Sequence, residues 1–129
     1  MKILDTDILV GVLRKNDEAI KKYEQIRDVE ITTTIFNAQE LLFGALISDN
    51  AYENFRAAKG LVNELGALKY DEKSMVESVR IQVYLEKTGR HIGLVDEMTA
   101  GICLAHNAPI VTRNTVHFSR VSGLKVEKW

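Results

Sequence analysis

Five short runs of β-branched or apolar residues recur along the chain, each parted from the next by a longer stretch of helical period. They read KIL (2–4), EITTT (30–34), ALKY (67–70), PIVT (109–112) and LKVE (124–127), and turn-forming or charged residues bound them. Between them, apolar side chains return every three to four residues. Ala19, Ile20, Tyr23 and Ile26 share one helical face, as do Ala38, Leu41, Leu42, Ala45 and Leu46. Ala51, Phe55, Ala58, Val62 and Leu65 form a third stripe, and Val76, Val79 and Val83 a fourth that stops near Gly89. From Met98 to Ala105 nearly every residue is small or apolar, the pattern of a helix buried all round. Parallel strands need a crossover between them, so strands alternating with helices predict an α/β domain with a mainly parallel sheet. A chain of 129 residues fits one such domain, residues 1–129, and no repeat or linker divides it.

In a sheet of this kind, sites form at the carboxyl ends of the strands. Asp5 directly follows the first strand, with Asp7 two places on. Thr33 and Thr34 end the second strand, and Glu40 lies about two turns into the next helix. Asp71 follows the third strand, and Thr112, Arg113 and Asn114 follow the fourth. Asp96 begins the helix that leads into that fourth strand, which puts it at the same edge. Asp5, Glu40 and Asp96 are therefore expected to converge. Asp96 in VDEMTA also fits a helix cap or first-turn acid, where carboxylates meet free N–H groups. Glu97 beside it is expected to be a solvated first-turn acid, or else an accessory ligand. Gly44, one turn beyond Glu40, costs its helix roughly 1 kcal/mol against alanine. It implies either a close helix contact or room beside the Glu40 carboxylate.

Gathered carboxylates repel, by about 4 kcal/mol at 4 Å with an effective dielectric of 20. Such a cluster keeps a proton or holds a cation. All-oxygen donors favour Mg²⁺ or Mn²⁺ over zinc. His91, His106 and His117 lack paired metal-ligand spacing, and no phosphate-cradling glycine loop or Ser-His-Asp arrangement stands out. The formal net charge is −1, so a nucleic-acid partner would be held by local patches or by metal ions rather than by bulk charge. Cys103 is the single cysteine, which excludes an intramolecular disulfide, suits a reducing cytoplasm and reads as a small core residue. There is no secretory pattern at the start and no apolar run near the roughly 20 residues of a membrane span. A cytoplasmic protein with no membrane partner is expected.

The segments LDTDIL, AQELLFGA and LEKTGRHIGLVDEMTAGICLAHNAPIVTRNTVHFSRVSGLKVEKW, taken in order, resemble the PIN-domain family, and within it the VapC-type toxins of toxin–antitoxin pairs. The resemblance runs nearly end to end. It implies a three-layer α/β/α fold with a mainly parallel sheet of four to five strands. It implies a Mg²⁺- or Mn²⁺-dependent endoribonuclease that cuts phosphodiester bonds in structured cellular RNA. Its metal-binding and catalytic acids map onto Asp5, Glu40 and Asp96. The family's fourth acidic position falls in TRNTVHF, where this chain has Asn114, with His117 at another site where many relatives carry an acid. Asp7 stands where many relatives have asparagine, an accessory place. The resemblance also implies a homodimer and a small VapB-like antitoxin whose tail reaches the acidic site. Thr6 and Thr112, at strand ends, are expected to orient carboxylates or to act as caps. Arg14, Lys15, Arg113, His117 and Arg120 are expected either to contact RNA phosphates or to be solvated surface.

Three other readings compete. A haloacid-dehalogenase phosphatase also opens with two aspartates one residue apart, Asp5 then being the nucleophile and Asp7 the acid/base. Leu9 occupies the place where that pattern wants a small or β-branched residue, and no clear lysine motif follows. A receiver domain would need a phosphoacceptor after the third strand, and Asp71 has poor spacing for it. A catalytically inert PIN-like binding module would have no use for a complete set of Asp5, Glu40 and Asp96.

Overall fold

A computed structural model describes residues 1–129. The chain runs β1 (Lys2–Leu4), α1 (Thr6–Leu13), α2 (Asp17–Ile26), β2 (Ile31–Thr34), α3 (Ile35–Leu46), α4 (Ala51–Leu65), β3 (Ala67–Leu68), α5 (Glu72–Thr88), α6 (Leu94–Ala105), β4 (Ile110–Thr112), α7 (Thr115–Phe118) and β5 (Val126–Lys128). The five strands form one sheet in the order β3-β2-β1-β4-β5, and every pairing is parallel. The chain thus builds outward from β1 to one side, then returns to place β4 on its other side. The gap between β1 and β4 is the topological switch point, where open α/β sheets place their ligands.

Successive strand residues face opposite sides of a sheet, and the two cores follow that alternation. Ile3 and Ile110 enter one core with Ile81, Leu85, Ile102 and Phe118. Their neighbours Leu4 and Val111 enter the other with Ile8, Leu9, Leu41 and Val62. Helices α1 to α4 therefore cover one face and α5 to α7 the other, an α/β/α sandwich. All five expected strands form, although β3 is only two residues long.

Helix α5 departs from its expected face. Val76, Val79 and Val83 are 42–49% exposed, whereas Ser74, Ser78, Ile81 and Leu85 point inward. The reason lies in its partner. A Cβ on Gly101 of α6 would stand 2.0 Å from Ser78 Oγ and 2.6 Å from the Ser74 carbonyl oxygen. The two helices touch so closely that only small residues fit between them, and size outranks hydrophobicity there. Leu46 at the end of α3 and Ile20 on α2 are likewise exposed rather than packed. Trp129 lies against α1, its ring 3.2 Å from where a Cβ on Gly11 would be. No helix is long and apolar enough to cross a membrane.

Candidate active site

The register Leu4↔Val111 sets the ends of β1 and β4 side by side at the switch point. Asp5 leaves β1 there, its backbone N–H still donating to the Val111 carbonyl at 3.0 Å. It caps α1, with Oδ1 accepting from the Thr6 amide at 2.8 Å. The same oxygen accepts from Asn37 Nδ2 at 2.9 Å, and Oδ2 accepts from the Thr112 hydroxyl at 2.6 Å. Each of these donors is neutral. Burial pushes the Asp5 carboxyl up to about 6; the Thr112 and Thr6 hydrogen bonds oppose this, and repulsion from Asp7 and Asp96 adds to it.

Asn37 is a site residue that the sequence reading missed. It is 3% exposed, in the first turn of α3, and donates to Asp5 and, at 3.0 Å, to the Thr6 hydroxyl. Thr34 caps α3 and fixes the Asn37 amide by donating to its Oδ1 at 2.7 Å. The buried Thr34–Asn37 pair thus holds Asp5 from behind. The only available signal was a polar residue on an otherwise apolar helix face.

Asp7 is engaged structurally. Its Oδ2 accepts from the Arg113 backbone N–H at 2.8 Å and faces the Thr112 hydroxyl at 3.2 Å, while Oδ1 accepts from the Trp129 indole at 2.8 Å. Arg113 stacks over the Trp129 ring at 3.7 Å and pairs with Glu18. Asp7 therefore ties the β4–α7 turn to α1 and to Trp129. The Thr112 hydroxyl donates to Asp5 and accepts from the Asn114 amide at 2.9 Å in the turn before α7. Thr6 supports Asp5 through Asn37.

Asp96 lies in the first turn of α6 without capping it, because Gly93 occupies the cap position. Its carboxylate instead turns to His117, with 3.2 Å between Oδ2 and Nδ1, and Asn114 Nδ2 stands 3.0 Å from the same ring nitrogen. Glu97 differs from the expectation of a solvated acid. It is 3% exposed and bound to His91 Nδ1 at 2.6 Å, while His91 Nε2 meets Glu86 at 2.6 Å. The Glu97 hydrogen bond, then that of Glu86, raises the His91 pKa, which favours the charged ring beside the buried Glu97 carboxylate. Glu97 faces this clasp, not Asp5.

Glu40 is exposed in the second turn of α3, one turn beyond Asn37. It lines a groove with Val10, Leu13, Arg14, Leu41 and Gly44. A Cβ on Gly44 would meet nothing within 4 Å, so its place is beside open space and not at a helix contact. Arg14 and Lys15 are exposed at the end of α1. Arg120 is turned inward, donating to the His91 carbonyl at 3.3 Å.

Asp5 repels Asp7 and Asp96, yet no three His, Cys, Asp or Glu side chains gather closely enough to grip an ion together. The expected convergence of three acids is thus not present as a ready-made cage. The donor chemistry still suits a hard divalent cation, since Mg²⁺ commonly binds through one or two carboxylates and keeps several waters. A cation beside Asp5 would also offset the repulsion that raises its pKa.

A family model described as PIN domain matches residues 2–124. The chain is 28% identical over 127 residues to the tRNA(fMet)-specific endonuclease VapC of Shigella flexneri, covering 98% of this chain and 96% of that one. It is 26% identical over 129 residues to Ribonuclease VapC1 of Haemophilus influenzae (strain R2866), with the same coverage. Among solved structures, VapBC2 from Rickettsia felis bound to a DNA fragment from their promoter superposes with a TM-score of 0.90 at 25% identity, covering 99% of this chain and 98% of that one. FitAcB from Neisseria gonorrhoeae shares the fold with a TM-score of 0.85 at 20% identity, over 98% of this chain and 96% of that one. An α/β/α sandwich with five parallel strands, an aspartate at its switch point and a family match across nearly all its length together mean that this chain belongs to the PIN-domain family.

Proposed function

We propose that this protein is a divalent-metal-dependent endoribonuclease, the toxin of a VapBC-type toxin–antitoxin pair, acting on structured cellular RNA. The observation that carries the reading is Asp5: a carboxylate at the switch point, held by three neutral donors, with its pKa pushed to about 6. Capping α1 needs only a side-chain oxygen at that place, not a buried, repelled anion. The full-length VapC ribonuclease relatives support the reaction class, and the toxin–antitoxin complexes among the structural neighbours support an antitoxin partner.

Asp5 and Asp96 would hold Mg²⁺ or Mn²⁺, with Glu40 acting from α3. A bound ion supplies charge neutralisation at the phosphate and a more acidic water. Asn37 and Thr112 fix the Asp5 carboxylate by hydrogen bonds, and Thr6 accepts a second bond from Asn37. Glu40, one turn beyond Asn37 on α3, would take the proton from the attacking water. In-line attack would leave a 5′-phosphate and a 3′-hydroxyl. Arg14 and Lys15 are free to meet RNA phosphates, while Arg113 and Arg120 already serve Glu18 and the His91 carbonyl. The exposed apolar face of α5 offers a surface for a second copy, in keeping with a homodimer, and the groove beside Glu40 offers one for an antitoxin tail.

The test is cleavage of cellular RNA mapped after induction, with Asp5→Asn and Asp96→Asn as controls. Both variants should fold and leave the RNA intact. EDTA should silence the wild type and Mn²⁺ should restore it. Cleavage that persists in EDTA, or in either variant, would refute the metal mechanism. Poor Mn²⁺ binding together with no cleavage would favour an inert binding module.

A further inference from the structure

The turn of α6 that carries Asp96 has little to hold it. Gly93 at its cap position offers no side-chain oxygen, and a Cβ there would meet nothing within 4 Å. Leu94 and Val95, which follow, are both exposed. A first helical turn without such partners frays readily, because its leading N–H groups have none within the helix. Glu97 is the exception. It is buried, its amide donates to the Gly93 carbonyl at 3.0 Å, and its own carbonyl accepts from the Ser78 hydroxyl at 3.3 Å.

An apolar side chain could anchor that position without burying a charge, since a packed hydrophobe often equals a buried ion pair in stability. Here the anchor is a carboxylate with one aimed partner. His91 Nδ1 stands 2.6 Å from Glu97, and its Nε2 stands 2.6 Å from Glu86 near the end of α5. Ionised carboxylates only accept, so both ring nitrogens donate and the imidazole is charged. The His91 carbonyl in turn accepts from Arg120, on the segment after α7, at 3.3 Å. One residue thus joins the end of α5, the start of α6 and the segment that follows α7. Asp96 is braced from two sides as a result. Its main chain is continuous with Glu97, and its Oδ2 lies 3.2 Å from His117 on α7.

We propose that His91 is a positioning residue: by clasping Glu97 it fixes the first turn of α6, and with it the direction of the Asp96 carboxylate. This rests on the function proposed above, in which Asp96 shares a divalent cation with Asp5. A carboxylate on an anchored turn has less freedom to lose when an ion binds, which is what preorganisation contributes. Direction is also where a hydrogen-bonded pair differs from an apolar plug, because hydrogen bonds favour an angle and apolar burial does not.

The experiment compares the metal-free full chain with His91→Ala, His91→Asn, Asp96→Asn and the His91→Ala/Glu97→Leu double variant. Alanine leaves the buried Glu97 carboxylate unpaired and drives it toward water. Asparagine carries an Nδ2–H near the place of the histidine Nδ1–H, so it keeps the bond to Glu97. The double variant removes both charges and strands neither. One readout needs no metal: hydrogen exchange at the Glu97 amide relative to core amides such as that of Cys103. The other is calorimetric Mn²⁺ affinity, under conditions where urea denaturation shows every variant folded. His91→Ala should speed exchange at Glu97 and weaken Mn²⁺ binding, each by about tenfold. His91→Asn should restore most of both. The double variant, although as stable as wild type, should bind Mn²⁺ as weakly as His91→Ala. Unchanged exchange at Glu97 in His91→Ala, no rescue by asparagine, or wild-type affinity in the double variant would overturn the positioning role while leaving the carboxylate site standing. Wild-type affinity in Asp96→Asn would instead remove the metal role of Asp96, and the inference with it.

Discussion

Replacing Asp5 with asparagine should make the metal-free protein more stable, and the gain should vanish in acid. Burial raises the Asp5 pKa from 3.8 to about 6. A difference of roughly two units, at about 1.4 kcal/mol each, means that ionised Asp5 costs the native state about 3 kcal/mol. The sign follows from the direction of the shift. Below about pH 4 the carboxyl is protonated in both native and unfolded chains and the cost is absent. As pH rises from about 4 to about 6, the unfolded chain ionises freely, the native one resists, and stability falls; above the folded pKa the whole loss is in place. Asparagine mimics the neutral form without orphaning a buried group. Its Oδ1 keeps the donors Thr6 and Asn37, and its Nδ2 meets the Thr112 hydroxyl, which can rotate to donate to Asp7 Oδ2 at 3.2 Å. Urea titrations in EDTA should therefore show Asp5→Asn more stable by about 3 kcal/mol near pH 8, with Tm raised by about 10 °C. The two proteins should converge near pH 4. Adding Mn²⁺ should stabilise the wild type alone and narrow the gap. Equal stability at pH 8, or a gap that stays constant into acid, would refute the account of Asp5 as a strained anion.

Asn37→Ala removes the donor to Asp5 at 2.9 Å and leaves the buried Thr34 hydroxyl without its acceptor. It should cost about 2–3 kcal/mol in urea denaturation and weaken Mn²⁺ binding in calorimetry. Gly101→Ala puts a methyl 2.0 Å from Ser78 Oγ and 2.6 Å from a backbone carbonyl oxygen. Despite the better helix propensity of alanine, the separation of α5 from α6 should leave the protein about 1–3 kcal/mol less stable, again read by urea denaturation.

Features carried by neighbouring residues were legible in the sequence, and features set by distant contacts were not. Strand β1 and its terminal Asp5 could be placed from four or five consecutive residues, because a short apolar run with an acid at its end carries the information in itself. Asp96 could be placed because the helix it starts leads straight into β4. Val76, Val79 and Val83 misled for the complementary reason. Their spacing is that of a buried stripe, but which face α5 buries depends on Gly101, on a different helix and 18 to 25 residues further along the chain. Glu97 misled because His91, which neutralises it, reaches it only once the α5–α6 connection has folded back.

The sequence by itself determined the alternation of strand and helix, the parallel α/β class and the acids at the strand ends. Each of these rests on residue type and on spacing within a few turns. Tertiary structure alone decided how those acids are held. Asn37 behind Asp5, Trp129 and Arg113 on Asp7, and His117 against Asp96 are contacts between groups 21 to 122 residues apart. Desolvation, which gives Asp5 its raised pKa, exists only when the sheet and both helical layers have closed around it.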